Sequence, residues 1–356
     1  MKSTQLFRHL PICLSLLVFT GSILPLSTWA KTAPRLEFPT WLNNLKRDAV
    51  AENISAALLD KVFADLQRAP KIPASNSNRR VGKENLSDYI NRILTLDRIN
   101  DIRQEYDQNQ ALKNTAIAFG VAPRLLLAMS AINSDFGKNK TNYPVITTLT
   151  AWAYFKPKSP QHRRELLAAL QLLNSKQVTL EQLLGNRQGQ LGNTLILPSQ
   201  YAQVAIDQNG NGKIDIWNEA EDQWAAMAKL VILNGWNESQ IWGRAVIVPK
   251  DADKTQFGIN QLWDIGHWQE LGVVMLDGSE LIYSDYFGAI FTPEGSDGPA
   301  FLIYDNYYSL LRIRRSHSYS LATVILSDLI VTPIIEEAYP ISFTEKSIEF
   351  TEQPIQ

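Results

Sequence analysis

Cysteine is nearly absent from this 356-residue chain: the single Cys13 lies in an apolar N-terminal stretch, and the rest has no thiol. That excludes a disulfide framework, a thiolate metal centre and a cysteine nucleophile in the body of the protein, so its stability must come from the core. Histidine is scarce too, with four residues, and His162 and His267 lack metal-ligand spacing and read as structural or surface positions. Charge of one sign is also lacking. Thirty-four basic residues face 36 acidic ones, a formal charge of −2, which leaves no electrostatic footprint for nucleic acid. Long apolar runs are missing beyond residue 27, and no internal repeat is visible.

The one long apolar run is informative. Lys2 and Arg8 precede residues 10 to 27, which are almost entirely apolar, and Thr28-Trp29-Ala30 places small residues where a signal peptidase needs them. Residues 1–30 therefore read as a signal peptide, with Lys31 as the mature N-terminus and the periplasm as destination. A retained membrane anchor is the alternative, but Gly21, Ser22, Pro25 and Ser27 make a poor permanent span. Leu10-Pro11-Ile12 before Cys13 does not fit lipoprotein processing.

What the chain does have is hydrophobic residues, at 45 %, and aromatics, including nine tryptophans that serve either the core or sugar stacking. Apolar spacing predicts two helices between Pro39 and Leu66, with Ser55 as N-cap of the second. Residues 69 to 85 read as a loop, and helices resume over Leu86–Leu96 and Ala111–Phe119. Pro123 suits a first helical position, and Leu125, Met129, Ile132 and Phe136 form a stripe ending at Gly137 as the residue past the helix. Further helices are expected from Pro160 to Leu173, Asp222 to Asn234 and His317 to Ile330, with a glycine-rich loop from Gly185 to Tyr201. Short β-rich segments occupy Val273–Leu276, Glu280–Tyr283 and Phe301–Tyr304. The tail, 336–356, is polar and lacks a stripe.

The most distinctive stretch is Ala128-Met129-Ser130-Ala131-Ile132-Asn133-Ser134-Asp135-Phe136-Gly137. It resembles the helix end of the lytic murein transglycosylase B family, whose pattern runs Ala-Ile-Trp-Gly-Ile-Glu-Ser-x-Phe-Gly. The likeness continues through Asn142-Tyr143-Pro144-Val145-Ile146 and Arg163-Arg164-Glu165-Leu166, then Gly185, Gly189, Gly192 and Pro198-Ser199-x-Tyr201. Gly235-Trp236, Trp242-Gly243 and Gly298-Pro299-Ala300-Phe301-Leu302 extend it across Trp41 to Leu329.

The resemblance implies a mainly α (α+β) fold: a lysozyme-like helical domain with a groove, plus a small β-containing subdomain near 263–305, all within one unit over 31–335. It also implies peptidoglycan glycan strands as the ligand. The family cuts between N-acetylmuramic acid and N-acetylglucosamine and leaves a 1,6-anhydro end. One glutamate acts as acid and then as base, and that suffices because the muramic 6-hydroxyl is the nucleophile; most glycoside hydrolases need two carboxylates.

At that glutamate's position stands Asn133, whose amide can hydrogen-bond a glycosidic oxygen but not protonate it. Other positions depart as well: Asn186 for a Ser, Arg187 for a Trp, Leu195 for a Gln, and Ile313-Arg314 for Tyr-Asn. Ser134, Tyr143, Asn186, Gly189, Leu195, Tyr201 and Arg314 are the substrate-binding positions the family pattern implies. Asp135 lies about 200° around the helix from Asn133 and should face away. The scaffold residues persist while the reactive groups are replaced, which favours a strand-binding pseudoenzyme. The competing reading is an active enzyme with a relocated acid, for which Glu105, Asp107 and Glu165 are candidates.

A second motif runs Asp207-Gln208-Asn209-Gly210-Asn211-Gly212-Lys213-Ile214-Asp215. Oxygen donors at loop positions 1, 3, 5 and 9, glycine at 6 and an apolar residue at 8 suit a calcium-binding EF-type loop, with the carbonyl of Lys213 at position 7. Position 12 is Asn218, not a bidentate Glu. The family resemblance puts the closing carboxylate later, at Glu221 or Asp222. A plain Asn/Gly turn is the alternative, and the two neutral amides lower the affinity of any calcium site. The glycines of 185–192 have the wrong spacing for a nucleotide loop. Arg312, Arg314 and Arg315 read as a small basic surface patch that could meet peptidoglycan carboxylates. Other cell-wall proteins are the remaining class of partner.

Overall fold

The computed structural model describes residues 36–74, 85–136, 141–295 and 298–332. The expected signal peptide, Cys13, most of the 69–85 loop, Gly137 and the 336–356 tail lie outside the described residues. From Phe38 onward the chain forms one unit, mainly helical with a small sheet.

The N-terminal pair is α1 (Phe38–Ala51) and α2 (Ala56–Val62). Ser55 precedes α2 as expected, but its side chain makes no capping bond; its backbone N–H donates to Asn174 Oδ1 instead. Next come α3 (Leu86–Ile93), α4 (Leu96–Gln108), α5 (Gln110–Phe119) and α6 (Pro123–Ser134). The single helix expected over Leu86–Leu96 breaks at Leu94, because Thr95 caps a new helix, and α4 is an element the spacing argument missed.

Strand β1 (Tyr143–Pro144) leads into α7 (Val145–Phe155), then α8 (Pro160–Asn174) and β2 (Leu184–Gly185). A 3-10 turn and α9 (Tyr201–Val204) precede α10 (Ala220–Leu233). Strand β3 (Gly243–Ile247), α11 (Ile265–Glu270), β4 (Val274–Met275), β5 (Ala289–Phe291) and β6 (Ala300–Ile303) build the small subdomain. Helices α12 (Asp305–Arg314) and α13 (His317–Val331) return to the helical body.

All pairs in the four-stranded sheet, ordered β4-β3-β6-β5, are antiparallel, with Gly243 opposite Ile303 and Val246 opposite Ala300. Glu280–Tyr283 contributes only a single bridge, Val274 to Glu280, because Ile282 and Tyr283 are exposed and have no second sheet to face.

Two helical cores share the molecule. One gathers buried side chains of α1, α2, α7, α8 and the 183–204 segment. The other wraps α3, α4, α5, α6, α10 and α12 around α13, which buries eleven of its fifteen residues. A third, smaller core sits around Trp268 in the sheet subdomain. Trp224, Trp242 and Trp268 are buried, so these tryptophans serve packing. Among the described residues, no single helix is long and apolar enough to cross a membrane.

Candidate active-site groove

Pro123 opens α6 and the Leu125, Met129, Ile132 stripe is buried as expected, but the helix stops at Ser134 rather than continuing to Gly137. Asp135 and Phe136 both adopt left-handed backbone, at φ 47° and 53°, and the Phe136 N–H closes the turn on Ala131 O at 2.8 Å. Such conformations cost non-glycine residues of order 1 kcal/mol or more. Arg98 offsets the strain by pairing with Asp135 at 3.3 Å and lying over the Phe136 ring at 4.6 Å. Asp135 is therefore turned to Arg98, off the helix end, and is not among the residues lining the groove.

That helix end forms the floor of a cavity of about 450 Å³ between the two helical cores. Ile132 and Asn133 come from α6, Leu149 from α7, and Gln161, His162 and Glu165 from α8. Asn186, Gln188, Gln190, Leu195 and Leu197 descend from the glycine-rich loop. Tyr89, Arg314, Ser316 and Tyr319 close the far side.

Asn133 is 5 % exposed and fully engaged. Its Nδ2 donates to Thr194 O at 3.2 Å and faces Met227 Sδ at 3.9 Å, while Oδ1 accepts from Arg314 Nη2 at 3.0 Å. A guanidinium thus sits against the Asn133 carboxamide at the groove floor. Arg314 Nη2 also reaches Thr194 O at 3.5 Å, and its Cζ lies 5.3 Å from the Tyr319 ring centroid.

Glu165 is buried in the same cavity, and both its oxygens accept from Ser199: Oε2 from the backbone N–H at 3.0 Å, Oε1 from the hydroxyl at 2.9 Å. The pair ties α8 to the start of the Pro198 turn. Glu105 and Asp107 stand exposed on α4 and are not among the cavity residues. His162, expected to be structural or surface, lines the cavity instead and stacks on Trp152 at 5.3 Å. Burial holds its pKa below the usual histidine value, against the raising effect of the Glu165 charge. Position in the helix could have suggested this, since His162 lies one turn of α8 before Glu165.

The loop wall is braced by its own residues. Asn186 Oδ1 accepts from the N–H groups of Gln188 and Gln190, at 2.9 and 3.1 Å, and Nδ2 donates to Gln190 Oε1. Gly189, at φ 83°, lies where a Cβ would come within 2.5 Å of Leu149 Cδ2. Leu195 holds φ 52° and presents its side chain to the cavity.

Four expected substrate positions are not among the residues lining this cavity: Gly189, which packs on Leu149, and Ser134, Tyr143 and Tyr201. Ser134 Oγ bonds back to Ser130 O at 2.9 Å, Tyr143 is half-buried on β1, and Tyr201 is buried beside the 207–222 loop. Burial, with Asp215 and Asp222 nearby, pushes the Tyr201 hydroxyl up to about 12. The expected basic patch also disperses. Arg312 caps α10 through Asn234 O, Arg314 enters the groove, and Arg315 is exposed in a left-handed turn.

In the 207–222 loop, Asp207 Oδ1 accepts from the N–H groups of Gly210 and Asn211, and Oδ2 from Gly212 at 2.8 Å. The carboxylate that meets the amides of Asn209 and Asn211 is Glu219, while Glu221 sits half-buried on the first turn of α10. Asp222, fully buried, accepts from the N–H groups of Gln208 and Asp215, at 2.7 and 2.8 Å, and so braces the loop. Among the described residues no group of three or more His, Cys, Asp or Glu forms a preassembled metal cluster.

A helical body with a groove between two cores and a helix end at its floor is the lysozyme-like arrangement that solved lytic transglycosylases share. Residues 37–328 match the transglycosylase SLT domain family, so the chain belongs to that family. It is 22 % identical over 249 residues to membrane-bound lytic murein transglycosylase B of Escherichia coli (strain K12), covering 66 % of this chain and 64 % of that protein. The chain thus spans just under two thirds of that relative's length. Its fold matches SltB3 of Pseudomonas aeruginosa, solved with NAG-anhNAM-pentapeptide, at a TM-score of 0.73 and 28 % identity over 83 % of this chain and 79 % of that one. Escherichia coli Slt35, solved in complex with calcium, shares the fold at a TM-score of 0.67 and 17 % identity, over 81 % and 92 % of the two chains.

Proposed function

We propose that this protein binds glycan strands of peptidoglycan in its groove, in the periplasm, without cutting them. The observation that carries this is Asn133, a buried groove carboxamide whose oxygen and nitrogen are both already engaged; the motif resemblance assigns the family's glutamate to this position. The similar SltB3 was solved with peptidoglycan fragments, and the cavity here has the size of a small-ligand site. Loss of a positioned general acid–base costs on the order of 10²–10⁴ in rate, and here both half-steps would need it. The active-enzyme reading has one observation in its favour, Glu165 in the same cavity, but both its oxygens are taken up by Ser199.

The 207–221 loop is a proposed calcium site of modest affinity. Asp207, Asn209, Asn211, the carbonyl of Lys213, Asp215 and Glu221 supply the oxygen donors, a chemistry calcium accepts. Glu219 already lies against both Asn side chains and is a second carboxylate within reach. Export by residues 1–30 supplies the compartment, and other cell-wall proteins are a further class of partner.

Incubating purified sacculi with the protein tests the main reading. It should sediment with the sacculi and release no anhydromuropeptides. Clear release by the unaltered protein would overturn the reading, and failure to sediment would leave only a protein-binding scaffold.

A further inference from the structure

Among the described residues no carboxylate lies within ion-pair distance of Arg314, and Glu165, which lines the same cavity, is bonded to Ser199 instead. The ion pairs among the described residues join Lys46 to Asp60, Arg98 to Asp135 and Arg163 to Asp48; none reaches Arg314. A guanidinium carries five N–H donors. Its acceptors here are both neutral and both reached through Nη2, while Nε is buried without a partner.

A second group in the same cavity is also unsatisfied. Tyr319 lines it, is 9 % exposed, and its buried hydroxyl has no hydrogen-bond partner among the described residues. Buried polar groups in folded proteins are nearly always paired, and here two unpaired donors belong to side chains that line one cavity. The fifteen-residue α13 begins here too: its N-cap Ser316 lines the cavity, and a helix N-terminus favours negative charge.

We propose that this cavity is a carboxylate subsite, with Arg314 as the recognising cation and the Tyr319 hydroxyl as an accessory donor. The inference rests on the glycan-binding reading and sharpens it. In a murein strand the carboxylate next to the sugar ring is the lactyl group of muramic acid. It is free when the peptide is absent and becomes a neutral amide when the peptide is attached. The chain therefore prefers peptide-free muramic acid units over peptide-bearing units and over neutral N-acetylglucosamine oligomers.

Calorimetric titration tests this with four probes: a peptide-free tetrasaccharide of alternating N-acetylglucosamine and N-acetylmuramic acid, its methyl ester, its peptide-bearing form, and chitotetraose. Hydrogen bonds to charged groups predict an affinity for the free acid about tenfold to a hundredfold above the ester. Arg314→Gln should abolish that preference, bringing the acid-to-ester affinity ratio to about one, and Asn133→Glu should also reduce it by occupying the guanidinium. Should Arg314→Gln fail to fold, the acid-to-ester ratio of the unaltered protein must fall as salt is raised. Equal binding of acid, ester and chitotetraose would overturn the subsite and leave the glycan reading standing. An acid preference untouched by Arg314→Gln, or an Arg314-dependent preference for the peptide-bearing probe, would also overturn it. Binding of none of the four would overturn both.

Discussion

The groove above Asn133 and the loop from Asp207 to Asp222 both place carboxamides where a carboxylate would be the stronger group, and the consequences differ. In the groove the family chemistry needs a proton to be given and taken back, which an amide cannot do. In the loop the need is for lone pairs, and the Asn209 and Asn211 carbonyl oxygens still offer them. The surroundings differ too. Asn133 is locked between Thr194, Met227 and Arg314, whereas the loop amides are exposed and rest on Glu219. On the proposed reading, the same type of residue removes a reaction in one place and only weakens an affinity in the other.

The largest test of this contrast is in the groove. Asn133→Glu alone should yield faint lytic activity at most, because Arg314 Nη2 lies 3.0 Å from the Asn133 oxygen and would pair with the new carboxylate. Adding Arg314→Asn should raise product release by a further ~10-fold or more, since an unpaired carboxyl is free to exchange its proton. Quantifying anhydromuropeptides by chromatography checks it, and equal activity of the single and double variants would refute the pairing argument.

In the loop the expected effect is a matter of stability. Ligand binding to the folded state alone raises stability by about 1.4 kcal/mol at tenfold excess over the dissociation constant. Millimolar calcium should therefore lift the melting temperature by a few degrees over chelator, and Asp207→Ala should erase the difference. An identical melting curve with and without calcium would leave the loop as a plain turn.

Two glycines sharpen the comparison on the backbone. Gly189 and Gly210 hold similar left-handed φ, 83° and 74°, but a Cβ on Gly189 would strike Leu149 while one on Gly210 meets nothing within 4 Å. Gly189→Ala should cost about 2–3 kcal/mol, the strain plus the overpacking, and Gly210→Ala about 1 kcal/mol. Chemical denaturation of the two variants distinguishes them, and equal losses would mean Leu149 simply moves aside.

The smallest difference is in pH response. Burial holds the His162 and His317 folded-state values below the usual histidine value. Their contribution is present above the unfolded value near 6.5 and is lost as pH falls through the folded one. For Asp215, burial pushes the carboxyl up, but hydrogen bonds from Asn218 and Trp217 outweigh it and the net shift is downward. Its contribution disappears only in the acid range, below about 4. Melting temperatures from pH 7.5 to 5.5 should fall slightly, and less in His162→Gln. Asp215→Asn should leave that window unchanged and alter only the acid limb.

Much of the helical body was legible in the chain. Pro123 at a first turn, the Leu125 to Ile132 stripe, and the onset of α8 at Pro160 are local signals that tertiary packing did not override. Helix α4 escaped because it is polar and buries only Ile99 and Ile102, too few to make a stripe. Strands β3 and β5 escaped because they are five and three residues long and exist through pairing with β6, which no window of sequence contains.

The sequence by itself determined that an asparagine ends the Ala128–Ile132 run, that oxygen donors recur through the 207–215 loop, and where helices such as α6 and α8 begin, because caps, periodicity and motif spacing are properties of neighbours along the chain. Only the tertiary structure decided what Asn133 touches. Arg314, 181 residues away in sequence, arrives beside it because α13 packs on α6 and α12 packs on α13. The same packing took Tyr201 out of the groove and brought His162 into it. Contacts between distant segments depend on how whole helix faces bury, and that is settled only when both helical cores have formed.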